Sequence, residues 1–278
     1  MAIYWLIILG LCFGSFSNDL VWRLYQQNLP KKKRAAKDAE LSIVKGRSMC
    51  PNCKHTLGLR DLIPVFSWLS TAGKCRYCRK PISIQYPAVE LATASLFILS
   101  YLAWPFDLLS SISYLLFGAW LTSLVLLIAL LVYDLKWMLL PNRLMAPLVA
   151  IAAIYAAIHT AMADEPGIAL LSVIGGVLVA GGIFYVLFQV SDGKWIGGGD
   201  VKLGIAIGLL VASPLLAMLV LFIASVIGLA AMLPGIVKGK VGMTTQLPFG
   251  PFLIIATIVT VLFGLTIIDW YKGVFLFV

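Results

Sequence analysis

Two aspartates stand out because carboxylates are costly inside an apolar chain and are retained where they do work. Asp134 closes a long apolar run in Tyr133-Asp134-Leu-Lys-Trp-Met-Leu-Leu-Pro141-Asn142, and Asp200 opens another in Gly197-Gly198-Gly199-Asp200-Val201-Lys202. Two neighbouring carboxylates in a partly dry site cannot both ionise easily, so they share a proton. One then acts as general base on water while the other protonates the amide carbonyl or the leaving nitrogen. That is aspartyl protease chemistry, requiring neither metal nor nucleophilic side chain. It agrees with the absence of a His-Glu-x-x-His pair, since His159 stands alone. Taken singly, each aspartate reads as an interfacial cap or cation partner, and a proton relay in a transporter is the competing functional use. The glycines before Asp200 suit a backbone that bends or admits another backbone closely. Lys136 and Lys202, two residues beyond each aspartate, read as lipid-facing anchors.

A second constellation is Cys50-Pro-Asn-Cys53 with Cys75-Arg-Tyr-Cys78. Two-residue gaps let both thiolates of a knuckle reach one ion at about 2.3 Å, and two knuckles complete a closed tetrahedral site. The 21 intervening residues lie just past the usual ribbon spacing of about 15–20. Structural zinc is the first reading and redox or disulfide use the second. A closed four-sulfur site leaves no position for water, so its expected job is to fold a loop lacking an apolar core. His55 reads as a surface residue and Cys12 as a small packing residue.

The elements that carry these residues follow from composition. The chain has 278 residues, 61% of them hydrophobic and 12% charged, with a mean hydropathy of +0.99. A soluble domain has about 25% charged residues, so this is an integral membrane protein. The formal charge is +9, yet 14 of the 21 basic residues lie between Arg23 and Lys80 against Asp38, Glu40 and Asp61. That stretch is therefore +11 and the remainder −2.

Helical spans of roughly 20 apolar residues are expected at about 2–22, 88–104, 111–133, 144–162 and 168–190. The run from 201 to 237 exceeds one span and breaks at Ser213-Pro214, and a last span covers about 248–268. The expected fold is an all-α polytopic membrane protein with about eight transmembrane helices and a zinc-stapled cytoplasmic loop. Its divisions are 1–22 (first helix), 23–86 (loop domain) and 87–278 (seven-helix core). Arg23 follows rather than precedes the first run, which argues against a cleaved signal peptide. Placing the first polar stretch inside puts 20 of 21 cations, Lys238 and Lys240 among them, on one side and leaves Lys272 outside. Both termini are then outside, and both aspartates lie at the cytoplasmic edge. Gly10 with Gly14 and Gly204 with Gly208 read as small-xxx-small packing seams. Lys31-Lys32-Lys33-Arg34 reads as an anionic-lipid contact; no aromatic–basic pattern accompanies it, so no nucleic-acid partner is expected.

Together these residues resemble the GxGD membrane aspartyl proteases, and the whole chain resembles bacterial type IV prepilin peptidases. The likeness runs through Phe13-Gly14-Ser15-Phe16-Ser17-Asn18 with Arg23-Leu24, Arg47-Ser48-Met49-Cys50, and Ile84-Gln85-Tyr86-Pro87-Ala88-Val89-Glu90. It continues through Asp134 to Asn142, Gly199-Asp200-Val201-Lys202-Leu203, and Leu247-Pro248-Phe249-Gly250-Pro251. The resemblance implies an endopeptidase that removes the basic leader of prepilins and pseudopilins at the cytoplasmic membrane face, cutting after a glycine. It implies N-methylation of the new N-terminus with S-adenosylmethionine, Asp134 and Asp200 as the catalytic pair, and Cys50, Cys53, Cys75 and Cys78 as metal ligands. No residue presents itself as the methyl-donor site. Asp19 stands where the family has an apolar residue, and Tyr25 where proline is frequent. Glu90 reads either as a helix-start or arginine partner, or as a loop or methylation residue.

Overall fold

The computed structural model describes residues 1–34, 39–43, 45–238 and 248–275. Asp38, Lys240 and Leu247, used above, lie outside them. Among the described residues the protein contains ten α-helices and no strand beyond two isolated bridges. Among the described residues, six helical stretches are long and apolar enough to cross a membrane, so the chain is a multi-pass membrane protein. All eight expected segments are helical, and two of them stand outside those six. Gln85–Leu102 has 18 residues and Gly198–Val211 has 14, about 27 and 21 Å at roughly 1.5 Å per residue.

The chain divides into two units, Met1–Leu102 and Ala103–Val278. In the first, α1 (Ala2–Asn28) packs on α3 (Gln85–Leu102), with the short α2 (Phe66–Ser70) in the loop between. The α1–α3 seam rests on glycine. A Cβ at Gly10 would lie 2.5 Å from Ala94 Cα, and one at Gly14 2.6 Å from Glu90 Cα. Without hydrophobic drive between helices in lipid, such backbone approach is what holds them. Asn18 adds a polar clasp, donating to the Tyr86 carbonyl at 3.2 Å and accepting from Gln85 Nε2 at 3.0 Å. Cys12 points outward from this seam, so it does not pack as expected. Gly10→Val should force the helices apart at an overpacking cost of about 1–3 kcal/mol. A lower unfolding temperature in detergent is expected; an unchanged one would refute the seam.

In the second unit, α5 (Asn142–Met162) and α10 (Gly250–Phe275) pack on α8 (Gly198–Val211), and α4 (Ser111–Trp137) packs on α5 and α10. Trp120, Leu127, Leu130, Leu148, Ala206, Ile207, Leu253 and Ile254 are buried there. The short α8 is enclosed by protein, with Leu203, Ala206, Ile207 and Leu210 all inside. The run 166–190 forms α6 (Pro166–Val177), a π-helical turn at Leu178–Gly182, and α7 (Ile183–Val190). Gly204 and Gly208 lie directly against that turn and the residue before it, where Cβ atoms would meet Ala180 O at 2.7 Å and Val177 Cα at 2.5 Å. The break at Ser213-Pro214 is as expected: α8 stops at Val211 and α9 (Pro214–Val237) starts afresh.

Candidate functional sites

The aspartates reach their places through two helix ends. Asp134 sits in the last turn of α4, where Met138 takes a left-handed conformation (φ 51°) and returns its N–H to the Asp134 carbonyl at 2.8 Å. Its side chain is 5% exposed. Asp200 sits in the first turn of α8, and its carboxylate accepts the Gly197 N–H at 3.3 Å. A carboxylate there complements the helix dipole. The two side chains interact electrostatically, and the Gly250 N–H, at the start of α10, donates to Asp134.

Glycine is required at that third contact. A Cβ at Gly250 would stand 2.5 Å from Asp134 Oδ2 and one at Gly199 2.9 Å from Leu140 Cβ, while Leu140 Cδ2 also flanks Gly250. Three stretches far apart in sequence, 134–140, 197–200 and 249–250, thus meet around Asp134. Lys202 reaches across to Asn142 at 2.7 Å; it fastens α8 to α5 rather than reaching into lipid. Lys136 lies over the Trp137 ring at 5.5 Å. Neither the Gly250 N–H nor the Lys202–Asn142 bond has a local sequence signal.

The four cysteines come together in the first unit with every pair of Sγ atoms within 4.8 Å. Tetrahedral metal–thiolate bonds of about 2.3 Å place sulfurs about 3.8 Å apart, and Cys50 and Cys78 are already at 4.0 Å. The donor set therefore fits a metal ion. Its two halves repeat one design at an interval of 25 residues. Cys50 N–H bonds to His55 O at 3.0 Å and Lys54 N–H to Cys50 O at 2.9 Å; Cys75 N–H bonds to Lys80 O and Arg79 N–H to Cys75 O, both at 2.9 Å. Lys54 and Arg79 have matching φ of 59° and 60°, and the bridges Met49–Thr56 and Lys74–Pro81 close the two turns.

Burial pushes the Cys50 thiol up to about 12. Burial also works against ionisation at Cys75, but N–H groups of Cys78 and Tyr77, with the Cys50 thiol, bring it down to about 7. A cation bound there would displace the thiol protons. His55 is exposed and stacks on Tyr77, ring centroids 3.7 Å apart; it is outside the ligand group. Asp61 ties the turn at 58–61 to the second knuckle, accepting from Arg76 Nε and Tyr77 OH, both at 2.9 Å, and from Gly58 N–H at 3.1 Å. Although burial opposes it, these donors hold the Asp61 carboxyl below its ordinary range.

Asp19 and Glu90 also lie in the first unit. Asp19 pairs with Arg23 at 2.7 Å. Arg23, 2% exposed, extends on to the Glu40 and Ser42 carbonyls and so pins the basic loop to α1. Glu90, 6% exposed, has no arginine partner among the described residues; it accepts the Val65 N–H at 2.7 Å.

Both units match known families. Residues 8–104 match the Bacterial Peptidase A24 N-terminal domain and residues 121–233 the Type IV leader peptidase family. An Escherichia coli protein named type 4 prepilin-like proteins leader peptide-processing enzyme is 34% identical, covering 91% of this chain and 90% of its own. The prepilin leader peptidase/N-methyltransferases of Bacillus subtilis and Pseudomonas aeruginosa are 33% and 32% identical. The first covers 96% of both chains, the second 93% of this chain and 89% of its own. No solved structure matches. With both units matched and relatives aligned along nearly the full length, the chain belongs to the type IV leader peptidase family.

Proposed function

We propose that this protein is an aspartyl endopeptidase that removes the basic leader of type IV prepilins and pseudopilins, and that it N-methylates the new N-terminus. The observation that carries the peptidase half is the meeting of Asp134, Gly197–Asp200 and Gly250 at the ends of α4, α8 and α10. One carboxylate removes a proton from water as the oxygen attacks the scissile carbonyl carbon. The other, protonated, donates to the carbonyl oxygen, and the leaving nitrogen takes up a proton as the C–N bond breaks. The Gly250 and Gly197 N–H groups stabilise carboxylate charge and fix its orientation. Substrate leaders are basic, so attraction comes from these carboxylates and not from the +11 loop.

The cysteine cluster is assigned a structural zinc held by Cys50, Cys53, Cys75 and Cys78; bound there, zinc supplies a cross-link and no chemistry. The methyl donor, S-adenosylmethionine, supplies the methyl group. The assigned location is the bacterial inner membrane, with both termini outside and the zinc loop and aspartates at the cytoplasmic face, where Lys31–Lys33 meet anionic lipid. The test is mass spectrometry of a prepilin N-terminus after incubation with purified protein, which reads leader loss and a methyl increment together. An unprocessed substrate would overturn the assignment.

Gly250→Ala tests the site from the backbone side. The added methyl must displace the Asp134 carboxylate, and misplacement of about 1 Å can cost roughly 10²-fold in rate. Initial cleavage rates should fall by about that factor with helix content unchanged. A wild-type rate would remove Gly250 from the site.

A further inference from the structure

Exposed apolar side chains on the membrane spans meet lipid, but the segment 59–69, between the two knuckles, presents them from the basic loop. Leu59, Leu62, Ile63, Phe66 and Leu69 are 87, 38, 47, 63 and 61% exposed, and neither the turn Leu59–Asp61 nor α2 buries a side chain. The turn and α2 pack on each other, so these side chains gather on one short stretch. Phe66 and Leu69, three residues apart on α2, share a face. Trp68 turns the other way, donating to the Ile82 carbonyl at 3.1 Å and packing over Gly73. The segment is thus held to the loop by its tryptophan and leaves its aliphatic and Phe66 side chains outward. Clustered apolar exposure of this kind marks a surface that meets something.

Depth and charge identify that something. Val65, in the middle of the segment, donates its N–H to Glu90 at 2.7 Å. Glu90 lies five residues past Gln85, where α3 begins, and so about 7.5 Å along the helix at roughly 1.5 Å per residue. It falls inside the span expected from about residue 88. The segment is therefore fastened beside a membrane helix, at the level where interfacial elements lie, about 5–10 Å into the boundary of headgroups and acyl chains. Val65 takes φ 60° and ψ −50°, a conformation that a β-branched residue keeps only where its surroundings impose it. The charge is one-sided. Lys54, Arg60, Lys74, Arg76, Arg79 and Lys80 are all exposed, against Asp61 alone, a net +5 between residues 54 and 80. A second copy of this loop, or a basic leader, would meet repulsion. Apolar side chains set among cations suit an anionic lipid surface.

We propose that segment 59–69 is an interfacial foot: Leu59, Leu62, Ile63, Phe66 and Leu69 dip into the anionic leaflet beside α3, and the cations of residues 54–80 meet the lipid headgroups. The contact is separate from that of Lys31–Lys33. It rests on the membrane placement of the loop given above and on neither enzymatic activity. Glu90 is the positioning residue of the foot, because its carboxylate holds the Val65 N–H at the level of the second turn of α3. The loop is then tied to the bilayer at a third place besides α1 and α3, and lies against the membrane surface instead of standing away from it.

The test places a fluorescent aromatic residue at Phe66 in the full-length protein, reconstituted in nanodiscs of phosphatidylcholine with or without phosphatidylglycerol. Two quenchers are compared: lipid brominated near the headgroup end of its acyl chains, and iodide in the water. Expected are strong quenching by the brominated lipid and weak quenching by iodide, with the lipid effect several-fold larger when phosphatidylglycerol is present. Leu59→Ser/Leu69→Ser should reverse the order of the two quenchers at an unchanged unfolding temperature, since neither side chain is buried. Iodide access without lipid quenching would overturn the proposal. Shielding from both quenchers would also overturn it, by placing a protein surface over the segment. Equal lipid quenching in the two compositions would remove the role of charge. No readout involves cleavage or methyl transfer, so failure here leaves the proposed function standing.

Discussion

Asp134→Asn and Asp200→Asn should each abolish leader cleavage, with rates falling by roughly 10²–10⁴-fold, the range expected for a general acid or base. The substitution suits the site because it changes so little else. Asp134 is 5% exposed and stands against Gly250 with no room to spare, and asparagine has the same size and retains an oxygen for the Gly250 N–H. At position 200 the amide oxygen can still accept the Gly197 N–H that fixes the first turn of α8. Loss of activity would therefore report loss of an ionisable group and not of packing. Two residues that share one proton act as a unit, so the double variant should be about as inactive as either single one. Full processing by either purified variant would remove the pair from the mechanism. Partial, additive losses would recast the aspartates as electrostatic neighbours of some other catalyst.

The relevant helix ends were legible for a simple reason. Asp134 and Asp200 interrupt apolar runs, and an interruption is a strong signal against so uniform a background. The break at Pro214 is local chemistry too, a ring and a missing N–H, and α9 begins there. The knuckles were legible because the spacing of Cys50, Cys53, Cys75 and Cys78 is itself the geometry. What periodicity could not show is which apolar face is buried. Spans that are hydrophobic all round give no stripe, so the enclosure of α8 by α5, α6 and α10 had no signature in residues 198–211. The π-helical turn at 178–182 likewise looks like helix in composition.

Long-range polar contacts were equally hidden. Gly250 to Asp134, Lys202 to Asn142 and Glu90 to Val65 each join positions whose separation in sequence carries no rule. Lys202 shows the consequence: a lysine beside an apolar run reads as an anchor in lipid, yet it donates to Asn142 at 2.7 Å. Several residues that carried the family likeness turn out to have structural work. Asn18, Arg23, Gln85 and Tyr86 fasten α1 to α3 or to the basic loop, and Gly14 permits the approach. A family motif therefore mixes scaffold with chemistry, and only the contacts separate them.

Serine in place of Cys50, Cys53, Cys75 and Cys78 should remove one zinc per chain and unfold the knuckles while leaving leader cleavage largely intact. The loop has few other means of staying folded. Leu41 is a single fully buried leucine, Asp61 supplies one bridge, and the short α2 has five residues and no buried side chain. Apparent zinc binding in small thiolate sites is worth about 10–16 kcal/mol near neutral pH, far more than those contacts offer. Metal analysis of reduced protein measures the first part, and limited proteolysis between residues 45 and 85 the second. A chelator applied to wild-type protein should reproduce both, and falling pH should favour release because protons compete for the thiolates. Freshly reduced wild-type protein without zinc would defeat the assignment. The division of labour is what makes the prediction sharp: the aspartates and Gly250 lie within Ala103–Val278 and all four cysteines within Met1–Leu102, so a stapled loop that served cleavage directly would lose cleavage along with its zinc, whereas one that serves methylation alone leaves cleavage standing.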